Sequence, residues 1–248
     1  MRAAYVMLAT MLLCGCTSDD IGTATTTSTP ETVQTTPTAH EMPLEYLTVD
    51  ISAFEGYGCV DRGSYVDCFA VGFEDDFDVS EFTRASDYLG GLSPGYQMLE
   101  AHVQNPGIGR DEALHWMGCR MPTAVKYLVK LEDRLELVDD REEFRSLFAP
   151  VGSRGEALGF AIAHSGGEPM FEVGLPEGYV KVMEEIPPTN VEEAGGLYKV
   201  RLYKKQVCGC GPHPYFMVEY LVRRNGEVSE FNRKEAYRNP EEDGLCVD

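Results

Sequence analysis

Residues 197–231 read LYKVRLYKKQVCGCGPHPYFMVEYLVRRNGEVSEF. Two segments rich in apolar and aromatic residues, Leu197 to Val207 and Tyr215 to Arg224, flank a knot of glycine, proline and cysteine. Such runs bounded by turn residues predict strands. Asn225-Gly226 then separates the second segment from Glu227 to Phe231, and Asn-Gly between apolar runs is a strong hairpin signal. This part of the chain therefore predicts an antiparallel meander.

Upstream, Met170 to Leu175 and Tyr179 to Glu184 add two further strand candidates. Asp140 with Glu143, and Ser153 with Glu156, have the spacing of an N-cap and its capping-box partner. The first device opens a short helix that shows Phe144, Leu147 and Phe148 on one face and stops at Pro150. The second opens a helix over Glu156 to Ala163, closed by Gly166-Gly167. Ala124 to Leu131 alternates Val125, Tyr127, Val129 and Leu131 with polar neighbours, as a half-buried strand does. A turn at Glu132-Asp133-Arg134 leads on to Leu135 to Val138. Residues 123–248 thus predict an α+β lobe, an antiparallel sheet with two short helices on one face. Residues 41–122 predict an irregular β-containing lobe: strands near Leu47 to Phe54 and Tyr65 to Phe73, Pro-Gly loops, and a short helix over Asp111 to Met117.

The N-terminus has a different character. Arg2 precedes an apolar run from Ala3 to Leu13, too short for the roughly 20 residues of a membrane span and right for a secretory signal. Leu13-Cys14-Gly15-Cys16 resembles the lipobox of bacterial lipoproteins, which implies a signal peptide over residues 1–15 and lipidation of Cys16 by palmitate-type acyl chains. An ordinary signal peptide with ordinary cleavage is the alternative. In that family Thr17, rather than Asp, after the cysteine implies the outer membrane where the organism has one. Residues 16–40 hold ten threonines, two prolines and no aromatic residue. Such a stretch buries too little to offset ordering entropy, so it predicts a disordered tether with a reach on the order of 30 Å. The expected setting is the cell envelope, with the membrane met through the lipid.

The chain carries a net charge of −20. Leaving out Arg2 and the tether acids Asp19, Asp20 and Glu31 puts −18 on residues 41–248. That field repels phosphate backbones and argues against nucleic acid as a partner. The densest acidic run, Glu74-Asp75-Asp76-Phe77-Asp78, offers oxygens to calcium but lacks the alternation and glycine of an EF-hand loop.

With Cys14 in the signal and Cys16 lipidated, six cysteines remain: Cys59, Cys68, Cys119, Cys208, Cys210 and Cys246. An even number in an exported chain predicts a disulfide framework. Cys59 and Cys68 flank a turn-like stretch and suit a small loop. Cys208 and Cys210 are too close for an easy mutual bridge, which points them separately toward Cys119 and Cys246. The rival reading is a zinc site or metallo-hydrolase built from Cys208, Cys210 and His213, completed by His115 and Cys119.

Catalytic motifs are sparse, and the sequence leans away from an enzyme. Gly91-Leu92-Ser93-Pro94-Gly95 matches the serine-hydrolase elbow in outline, but Pro94 has no N–H to offer an oxyanion. His164-Ser165 fits a helix stop, and Trp116 reads as core. EALGFA, CGCGPH and the LCVD ending resemble a group of bacterial secreted proteins, a likeness over the second half that implies no activity. The leading expectation is a non-catalytic envelope lipoprotein that binds or supports a protein partner. No cofactor is implied, and the oligomeric state stays open.

Overall fold

A computed structural model of the chain describes residues 49–68, 79–104 and 107–247. The signal, Cys16, the tether and the acidic run at 74–78 lie outside the described residues. Glu41–Asp248 forms one compact unit. Its class is α+β, mostly antiparallel sheet, with three disulfides.

The first sheet contains β1 (Val60–Asp61), β2 (Val66–Asp67), β3 (Val79–Arg84), β4 (Gln97–Val103), β5 (His115–Met117), β6 (Thr123–Lys130) and β7 (Leu135–Val138). The order is β1-β2-β3-β4-β6-β5, with β7 continuing the β5 edge of β6. β4 pairs with β6 along its whole length, so the expected lobe boundary at residue 122 falls inside one sheet. The second sheet contains β8 (Val180–Lys181), β9 (Val191–Ala194), β10 (Leu197–Lys205), β12 (Tyr215–Arg223) and β13 (Val228–Arg238), in the order β8-β13-β12-β10-β9. A small ribbon pairs β11 (Gly209–Cys210) with β14 (Cys246–Val247).

Among the described residues three α-helices accompany the sheets: α1 (Ser52–Glu55), α2 (Arg141–Phe148) and α3 (Arg154–Ser165). α3 begins on a complete capping box between Ser153 and Glu156. It ends at Gly166, left-handed at φ +61°. Every residue from Ala157 to Ser165 is buried, because α3 packs against β10 and β12 of the second sheet and β5 of the first. A helix apolar on all sides belongs in such a position. Expected on one sheet face, it lies instead between two sheets. Its glycines let the turn at Gly91-Leu92 approach closely: a Cβ at Gly91 would fall 2.6 Å from the Gly155 carbonyl carbon, and one at Gly159 would fall 2.8 Å from Leu92 Cγ.

α2 is the amphipathic helix the spacing predicts, with Phe144 and Phe148 buried. Asp140 accepts hydrogen bonds from Glu142 N and Glu143 N, at 2.8 and 2.9 Å. Glu143 reaches back one residue further than the motif implies and accepts from Asp139 N at 2.7 Å.

β6 departs from the half-buried strand expected. Tyr127 and Val129 face the α3 core, while Leu128 faces a second core with Phe54, Phe82 and Leu99. Lys126 made one face look polar, but it is 3% exposed and its ammonium donates to Asp139 at 2.8 Å. A long apolar stem with a satisfied charge can line a buried face.

Other expectations change in register. Ser52–Glu55 is helical where a strand was expected, and His115–Met117 is a strand where a helix was expected. Met170 to Leu175 forms no strand, Tyr179 to Glu184 keeps only β8, and Val191–Ala194 adds β9. The Asn225-Gly226 hairpin has three loop residues: Gly226 N donates to Arg223 O and Arg223 N to Glu227 O, both at 2.9 Å, with Gly226 at φ +81°. A turn closed by a left-handed glycine is the next commonest hairpin after the two-residue one.

Candidate functional site

Successive strand residues point to opposite faces, so register decides which side chains meet. Glu100 on β4 stands opposite Tyr127 on β6, and His102 opposite Val125. His115 on β5 stands opposite Val125 from the other side. Glu100, His102, His115 and Tyr127 therefore share the end of the sheet face that looks toward α3.

Each is held by a specific neighbour. His102 Nε2 lies 3.0 Å from Glu100 Oε1, and Nδ1 lies 3.5 Å from Glu81 Oε2. The Glu100 carboxylate holds the His102 pKa above the usual histidine value, aided by Glu81 and opposed by burial. His115 Nδ1 donates to Ala163 O, a last-turn carbonyl of α3, at 2.8 Å. Burial lowers the His115 pKa, so the ring is neutral at pH 7. Burial, then the nearby Glu100 charge, pushes the Tyr127 phenol well above its ordinary value. From the second sheet, Lys204 Nζ donates to Ser165 O at 2.5 Å, and burial lowers its pKa. Histidine and lysine thus satisfy carbonyls at the negative end of α3.

Glu100, His115, Tyr127 and Lys204 line a cleft of about 1120 Å³ between the sheets at the C-terminal end of α3, with His102 behind Glu100. Trp116, Met117 and Gly118 line it on the first-sheet side, and Tyr203, Tyr215 and Tyr237 on the second. Trp116, expected in the core, is half-buried at the cleft wall; its indole N–H donates to Arg110 O at 3.2 Å, and the Arg110 guanidinium lies 5.6 Å from the ring centroid. Tyr215 and Tyr237 stack with centroids 4.6 Å apart. Burial pushes the Tyr203 and Tyr237 phenols up to about 12.

The six domain cysteines form three disulfides: Cys59–Cys68, Cys119–Cys208 and Cys210–Cys246. Cys119–Cys208 ties the β5–β6 turn to the β10–β11 connection at the cleft, which Cys208 lines. The thiolate set drawn for zinc does not assemble, because paired sulfurs have no lone thiolate to give. His115 sits on a strand, not on a helical face with Cys119. His213 is 3% exposed, its nitrogens 3.1 Å from Gln206 O and 3.3 Å from Leu245 O. Among the described residues no group of three or more His, Cys, Asp or Glu is placed to hold a metal ion.

Ser93 lies on an exposed turn whose Leu92 packs against Gly159, and no hydrogen bond joins it to a histidine among the described residues. His164 donates through Nδ1 to Phe160 O at 2.9 Å, while Ser165 Oγ donates to Ala161 O at 2.6 Å, so the adjacent pair does not act together. Glu100, His102, Tyr127 and Lys204 carry the site without a sequence motif; Glu-x-His on a strand is the one local signal, since that spacing puts both on one face. Comparison of the chain with protein-family models, curated proteins and solved structures gives no match.

Proposed function

We propose that this chain is an exported, lipid-anchored envelope protein that binds a small ligand in the cleft between its sheets without transforming it. The cleft carries the reading: it is larger than ordinary small-molecule sites of about 300–1,000 Å³, mostly aromatic and apolar, with a few converging polar groups. The lipobox-like Leu13-Cys14-Gly15-Cys16 and the threonine tether support attachment through Cys16, at the outer membrane where there is one. A protein partner on the exposed rim, near Met117, Met121 and Val207, fits the same setting.

Trp116 is the only tryptophan and lines the cleft, so its fluorescence reports occupancy. A mixed library of neutral, acidic, basic and aromatic small molecules is titrated against the full-length mature protein and against Gly174→Phe. Gly174 lines the cleft, and a Cβ there meets nothing within 4 Å, so the variant narrows the space without straining the fold. At least one compound saturates the wild type and binds the variant more weakly. A library that leaves Trp116 unchanged, or hits indifferent to Gly174→Phe, removes the cleft as the site.

A further inference from the structure

We infer that the cleft recognises a neutral saccharide through adjacent hydroxyl groups, an inference that rests on the ligand-binding reading above. Tyr127 is 1% exposed, its ring packed against Phe144, and its hydroxyl borders the cleft with no hydrogen-bond partner among the described residues. The hydroxyl is not among the buried polar atoms left without a partner, so it is reached from the cleft, where a ligand hydroxyl can answer it. High in pKa, the phenol keeps its proton and is a donor.

His115 supplies the complement. Its Nδ1 proton is committed to the Ala163 carbonyl and its ring is neutral, so Nε2 carries a bare lone pair. The Nε2–Cδ2 edge lies along Gly166, where a Cβ would fall 2.7 Å from Cδ2; the left-handed glycine leaves room for that edge. Glu100 adds a second acceptor, since Oε1 bonds His102 and Oε2 has no partner among the described residues. One donor and two acceptors thus converge on one end of the sheet face. A hydroxyl gives one proton and accepts at two lone pairs, so neighbouring hydroxyls answer both kinds of group at once.

Charge narrows the class further. Glu100, Glu168 and the field of the acidic domain repel anions. Lys204 and Lys205 stand on the same walls and repel cations. A ligand without net charge meets neither penalty. Trp116, half-buried on the cleft wall, supplies an aromatic surface for the C–H face of a sugar, and the volume admits a disaccharide.

The test is calorimetric titration of the full-length mature protein with maltose and N,N′-diacetylchitobiose, with glucuronate and glucosamine as charged controls. Expected is saturable binding of at least one neutral disaccharide at about 1 mM or tighter, and weaker binding of both controls. Tyr127→Phe removes only a hydroxyl that faces the cleft, so it melts near the wild-type temperature while affinity falls about tenfold. A merely structural tyrosine gives the opposite pattern, lower melting and unchanged affinity. The inference is overturned if neither disaccharide binds at about 10 mM, if a charged control binds tighter, or if Tyr127→Phe binds as well as wild type. Library hits of another class that are lost in Gly174→Phe overturn the saccharide alone and leave the binding reading standing.

Discussion

Gly166 joins helix and cleft at one residue. Its φ of +61° ends α3, and the space its missing side chain leaves is filled by the His115 ring. Gly166→Ala therefore meets both a backbone penalty and a collision, and is expected to cost about 1–3 kcal/mol in chemical denaturation. His164 gives a pH prediction. Burial between Phe144 and Phe160 lowers its pKa to about 3. Below pH 6.5 the unfolded chain takes up a proton that the folded chain refuses, so stability falls as pH drops from 6.5 toward 3. The slope from this residue is about 1.4 kcal/mol per pH unit. His164→Leu removes that share, so its denaturation midpoint falls less steeply than wild type over the same range. His102 has the opposite sign: its raised pKa adds stability below 6.5 that is lost as pH rises through the folded value. The helix-stop role of His164 to Gly167 was legible because it is local. The partnership of His115 with Gly166 was not, because it spans two distant parts of the chain.

Among the elements, those with a local cause were the readable ones. α2 and α3 carry their caps in sequence, and Ser153→Ala is expected to destabilise the protein by about 1 kcal/mol, read by thermal unfolding. β10, β12 and β13 run for nine or more residues and are bounded by Gly-Pro and Asn-Gly turn signals, long enough to be read as strands. β5 and β9 have three and four residues and exist because neighbouring strands pair with them. Trp116 and Met117 could be read as helix or core until β6 stood beside them. The sandwiched place of α3 was written in its composition, where Ala157 to Ala163 has no polar face, but one sheet was expected, so the second wall went unseen.

In the whole molecule, disulfide and cleft are one design. Cys119–Cys208 joins segments 89 residues apart and ties the two sheets beside the cleft. Closing so long a loop contributes about 4 kcal/mol in the chain-entropy account. The double variant Cys119→Ala with Cys208→Ala is therefore expected to lose about that much in denaturant unfolding and to weaken any cleft ligand. The even cysteine count made a disulfide frame readable, and the awkward C-x-C spacing pointed both cysteines outward. The cleft itself was not readable: Glu100 and Tyr127 are met only through strand register, and Lys204 only through the second sheet. The central claim, an oxidised domain carried on a lipidated Cys16, is tested most directly by intact mass of the membrane-extracted protein with and without reductant. A chain beginning at an acylated Cys16, inert to alkylation until reduction adds six hydrogens across its three bridges, is the expected result. An unmodified N-terminus, or thiols that alkylate without reductant, contradicts it.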